Sequence, residues 1–82
     1  MKARLTDNVI RMLHSNVQRG DSPRAVFLHR PTNALVTRAT RHPGYNELLY
    51  SREHVLVGVY DRTIPMPLLR DDIRATEQEL VA

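Results

Sequence analysis

Cysteine is absent from all 82 residues. That excludes a disulfide framework, a thiolate nucleophile and any cysteine-ligated zinc site. Glycine is scarce as well. Gly20, Gly44 and Gly58 stand far apart, so there is no glycine-rich loop to cradle a phosphate. Tryptophan is missing, and Phe27, Tyr45, Tyr50 and Tyr60 are the only aromatic residues with a six-membered ring. No RNP, KH, zinc-finger or basic-zipper pattern occurs among them. The longest apolar run is Val55 to Tyr60, with Gly58 inside it. A membrane span needs about 20 such residues. The first residues, Met-Lys-Ala-Arg-Leu-Thr-Asp-Asn, are basic but have no apolar h-region, and no Asn-x-Ser/Thr acceptor occurs. The expectation is a cytoplasmic protein without membrane association.

Lysine is the last scarcity. Twelve residues are basic, and only Lys2 is not arginine. Arginine suits bidentate contact with phosphate or carboxylate. The formal net charge of +3 conceals an uneven distribution. Residues 1–42 hold eight basic groups and two acids, a net of +6. Residues 43–82 hold four arginines and seven acids, a net of −3. The basic half can attract a polyanion, or the two halves can neutralise one another in the fold.

Leu, Ile, Val and Phe make up 22 of the 82 residues. That lies above the roughly 20% below which chains tend to be disordered, and the length suits one domain over residues 1–82. Residues 7–19 read as an amphipathic helix. Thr6 is the N-cap, Asp7 lies in the first turn, Val9, Leu13 and Val17 share a stripe, and Gly20 is the stop. Residues 25–30 and 35–41 read as a hairpin around Pro31-Thr32-Asn33-Ala34. Facing Arg30 with Leu35 places Val26 opposite Ala39, and Phe27 opposite Arg38 on the other face. Arg24 then meets Arg41, an unfavourable like-charge pair. Residues 47–50 and 55–60 read as a second hairpin, with 55–60 in the sheet interior because it is apolar on both faces. Residues 68–81 read as a helix with Leu69, Ile73, Thr76 and Leu80 on one stripe. The expected class is α+β, in the order α-β-β-β-β-α. A four-stranded antiparallel meander carries both terminal helices on one face.

Catalytic patterns are sparse. Ser51, His54 and Asp61 contain the residue types of a hydrolase triad, but no G-x-S-x-G elbow accompanies them. Histidines at 14, 29, 42 and 54 lack the spacing of metal ligands. Asp71 and Asp72 sit early in a helix, where the dipole accounts for them. The expectation is a protein that is not an enzyme, with no cofactor and no metal.

The binding candidates are Arg24, Arg30, Arg38 and Arg41 on and around the first hairpin, with His29 and His42 nearby and Phe27 available for stacking. They point to a regulatory or inhibitory domain that meets nucleic acid or a nucleoprotein complex. The alternative is a small inhibitor or adaptor, of the phage or mobile-element type, that binds a host protein alone. Strand 25–30 or 47–50 would be the exposed edge for such a partner. Leu69, Ile73 and Leu80 are candidates for self-association as a homodimer.

Overall fold

The computed structural model describes residues 5–20 and 22–81, so Lys2, Arg4 and Asp21 of the charge tally lie outside the described residues. It is a small α+β fold with three antiparallel strands and three helices. Helix α1 spans Asp7–Arg19. Thr6 Oγ1 accepts a hydrogen bond from the Val9 amide at 3.3 Å, satisfying one of the first-turn donors that have no partner inside the helix. At the other end, the Gly20 amide donates to the Val17 carbonyl. Gly20 has φ −78°, so it ends the helix in extended backbone rather than in a left-handed turn.

Strands β1 (Arg24–His29) and β2 (Ala34–Ala39) form the expected hairpin. The register places His29 opposite Ala34, Phe27 opposite Val36 and Arg24 opposite Ala39. This differs by two residues from the sequence-based pairing. An even slip leaves every side chain on its expected face. It also removes the Arg24–Arg41 pairing, since Arg24 now meets Ala39. The four-residue turn is kept but starts one residue earlier, at Arg30, and within it Asn33 takes φ 61°, the only positive φ of a non-glycine residue among the described residues. Asparagine tolerates that region better than most side chains.

The second hairpin does not form. Residues Tyr45–Leu49 are a short helix, α2. The Leu48 amide donates to the Gly44 carbonyl, and the Tyr50 amide to that of Asn46. Tyr45 and Leu48, three residues apart, turn inward, while Asn46, Glu47 and Leu49 are exposed. Glu and Leu favour helix, and Glu and Asn are poor strand formers. The next strand, β3 (His54–Tyr60), therefore has no 47–50 partner and pairs with β1 instead. The sheet order is β2-β1-β3. Strand 25–30, expected as an edge, is the centre, and 55–60, expected inside, is an edge. The physical reason lies in β1 itself: Ala25, Val26, Phe27 and Leu28 are all buried, as two covered faces require.

β3 is apolar on both faces for another reason. Val26 pairs with Gly58 but Phe27 with Leu56, so Val57 is an extra residue in a bulge. The bulge interrupts the alternation. Val57 packs on the main core, whereas Leu56 and Val59 are partly exposed on the opposite face.

The main core lies between the sheet and helices α1 and α3 (Met66–Val81). Ile10, Leu13 and Val17 meet Val26 and Leu28 from one side, and Leu69 and Ile73 from the other, with Leu80 packed at the margin. The stripe proposed for self-association thus lines this chain's own core. Leu69 and Ile73 are fully buried and present nothing to a second copy. Arg74 ties the two helices together. It donates to the Leu5 carbonyl at 2.8 Å and pairs with Asp7 at 3.0 Å and Glu77 at 2.9 Å. Such exposed pairs contribute about 1 kcal/mol or less each.

Tyr60 crosses the core face of β3 over Gly58 and donates to Asp72 at 2.8 Å. Burial, then the hydrogen bond and the charge of Asp72, hold its phenol well above the ordinary range. A Cβ on Gly58 would lie 2.5 Å from Tyr60 Oη and 2.7 Å from Cζ. Gly58→Ala is therefore expected to displace the ring and cost about 1–3 kcal/mol in urea unfolding. In a Tyr60→Leu background most of that cost should vanish. An equal cost in both backgrounds would mean that the ring is not what excludes a side chain at position 58.

Candidate functional site

Pairing sets where the basic residues gather. Arg24 opens β1, Ala39 closes β2 opposite it, and Tyr60 closes β3 on its other side. One end of the sheet thus receives the residues that enter β1 and those that leave β2 and β3. The end of α1 joins them, because Arg24 Cδ would lie 3.2 Å from a Cβ built on Gly20. The Thr40 amide donates to the Pro23 carbonyl at 3.1 Å and closes this end.

Arg24 and Arg38 stand on opposite faces of the sheet, because Arg38 pairs with Ala25, the neighbour of Arg24. Both are half-buried. The Nε of each is buried and has no hydrogen-bond partner among the described residues. A buried donor left unpaired costs about 1–3 kcal/mol. The turn after β2 folds back over Arg38. A Cβ on Gly44 would lie 3.9 Å from Arg38 Nε and 3.2 Å from His42 Nδ1. His42 Nδ1 accepts from the Gly44 amide at 2.8 Å. In the neutral ring this leaves the proton on Nε2. Arg41 and His42 are exposed on that turn.

Two further arginines belong to this end. Arg19 is in the last turn of α1. Arg62 follows β3 and borders an open groove of about 300 Å³ that Gly20, Ser22, Pro23, Asp61 and Thr63 also line. Sequence reasoning missed both. Arg62 can be placed beside Arg24 only when β3 is known to pair with β1. Asp61 is a carboxylate at this end. Hydrogen bonds from the Thr63 hydroxyl and amide hold it below the usual carboxylate range, so it stays ionised.

The other candidates lie elsewhere. Phe27 is fully buried at the centre of the second face, its ring centroid 6.2 Å from that of Tyr45. It has no surface to offer a ligand. His29 and Arg30 lie at the far end of β1, about 17–20 Å along the strand from Arg24. There the rings of His29 and His54 are 4.8 Å apart. His29 Nδ1 meets Thr32 Oγ1 at 2.7 Å, and Nε2 meets Glu53 at 3.2 Å. The Arg30 amide donates to the Glu53 carbonyl at 2.7 Å. Ser51 Oγ lies 2.9 Å from His54 Nδ1. Asp61 is at the opposite end of β3, so these three do not assemble into a triad. Among the described residues, no group of three or more His, Asp or Glu side chains is placed to hold a metal ion. No helix among them is long and apolar enough to cross a membrane.

Three carboxylates of the acidic half are engaged with other partners. Asp72 accepts from Tyr60, Glu77 pairs with Arg74, and Glu53 faces His29. Among the described residues, Arg19, Arg24, Arg38, Arg41 and Arg62 form no ion pair. What the arrangement offers chemically is concentrated positive charge with unspent donors. No family model, curated protein or solved structure matches the chain.

Proposed function

We propose that this protein is a non-enzymatic regulatory or inhibitory binding domain that contacts nucleic acid, alone or in a nucleoprotein complex, through the basic end of its sheet. The supporting observation is that five arginines converge there without an ion pair among the described residues. Phosphate oxygens are the natural counterpart. They accept from several guanidinium groups at once and displace counterions from the nucleic acid. Turning the Arg24 or Arg38 guanidinium toward a phosphate would also give its Nε an acceptor.

The test is a salt titration of binding to a labelled oligonucleotide. Affinity should fall steeply between about 50 and 200 mM salt. Arg38→Ala with Arg41→Ala should weaken binding and lower the magnitude of the log–log salt slope by about 2, one for each phosphate contact removed. Arg30→Ala, at the far end, should leave the slope unchanged. Affinity that ignores salt would overturn the reading and favour the alternative, an inhibitor or adaptor that touches protein only. A slope that responds equally to Arg30 and Arg38 would mean diffuse charge rather than one interface.

A further inference from the structure

The outer edge of the sheet carries a second inference, which shares Arg38 with the basic end but adds a groove that lies apart from it. β2 is an edge strand, and among the described residues nothing pairs with its outer side. Beside it, α1 turns Val9, Met12, Leu13 and Asn16 toward Leu35 and leaves a groove of about 230 Å³. Val9 is 42% exposed and Met12 69%, so the groove has an apolar rim open to solvent. The groove lies on the helix-covered face, where Leu35 and Thr37 point. On the opposite face the edge presents Val36 and Arg38, the latter with its Nε unpaired.

We infer that the β2 edge binds an extended segment of another protein in which apolar and acidic residues alternate. Such a segment adds as a fourth strand. Its backbone pairs with the free N–H and C=O groups of Ala34–Ala39. Side chains alternate across a strand, so the apolar residues enter the Val9–Met12–Leu35 groove and the acidic ones lie on the Arg38 side. Charge decides against a second copy as the occupant. β2 contains no carboxylate, and pairing β2 with β2 would leave both Arg38 side chains unanswered. Arg19 and Arg41, near the end of the strand, reinforce the preference for an acidic partner.

The experiment uses the whole chain and a labelled eight-residue peptide of alternating valine and glutamate, followed by fluorescence anisotropy. The peptide should bind, and alternate amides of Ala34–Ala39 should gain protection from hydrogen exchange. Met12→Glu should weaken binding about tenfold or more, because it places a carboxylate in the apolar groove. Met12 is largely exposed, so this variant keeps the core intact. Arg38→Glu should reverse the preference toward a valine–lysine peptide. Met12→Glu leaves the basic end untouched, so oligonucleotide binding should persist in it and separate this inference from the proposed function. Equal binding of a scrambled peptide with the same composition would overturn the inference. So would unchanged affinity in Met12→Glu, no binding at about 1 mM peptide, or dimerisation of the wild-type chain through β2 in place of peptide binding.

Discussion

Replacing Phe27 by alanine is expected to cost about 3–5 kcal/mol. An 82-residue domain has a total stability of about 4–12 kcal/mol at typical values per residue. Among the described residues, Phe27 is the largest fully buried side chain, and it sits in the central strand on the face opposite the main core. Tyr45 of α2 lies over it, and the partly exposed Leu56 of β3 lies beside it. Short α2 is held on the second face by this contact, so removing the ring should release the helix and open the face to water. Urea unfolding followed by circular dichroism should show a large fall in midpoint or a chain unfolded without denaturant. Phe27→Leu, which keeps most of the volume, should cost about 1.5 kcal/mol or less. If Phe27→Ala unfolded at the wild-type midpoint, the second face would not be a packed layer at all.

Ile73→Ala should have an effect nearly as large, about 2–5 kcal/mol. Ile73 is fully buried where α3 meets α1 and the sheet. Its role is distinguished from self-association by the dependence on protein concentration. A core residue of one chain lowers the unfolding midpoint equally at low and high concentration. A residue in an obligate dimer interface makes that midpoint rise with concentration. The expected result is a midpoint that falls on mutation and does not change with concentration in either protein. Leu80→Ala, at the margin of the core, should cost less. A midpoint that rises with wild-type concentration, and ceases to do so in Ile73→Ala, would return this stripe to an intermolecular role.

Some elements were legible because their signals are local. α1 has a capping threonine, an acidic first turn and a four-residue apolar spacing, all within fifteen residues. α3 was equally plain apart from its first turn, since prolines at 65 and 67 blur where a helix begins. The first hairpin was found from its two apolar strands and the turn chemistry of Asn33. Residues 45–49 mislead because a five-residue segment with two adjacent leucines fits either period. That single error changed the partner of β3, and the partner of β3 changed which strand was central.

The candidate site followed the same division. Arg24, Arg38, Arg41 and His42 were identified by clustering in sequence and do converge at one end of the sheet. Arg30, His29 and Phe27 were equally close in sequence, yet the strand carries Arg30 and His29 to the far end and buries Phe27. Arg62 is far from them in sequence and arrives beside Arg24 through antiparallel pairing.

By itself, the amino-acid order determined the two terminal helices, the first hairpin with its two faces, and the charge asymmetry. These rest on interactions between residues a few positions apart, or on composition. Only the tertiary structure decided that β1 is central, that Leu69 and Ile73 face inward, and that the described hairpin arginines have no acidic partner. Each depends on which distant segment competes best for a strand edge or an apolar face. Such a competition is decided by the summed packing of the whole chain, and no local pattern records its outcome.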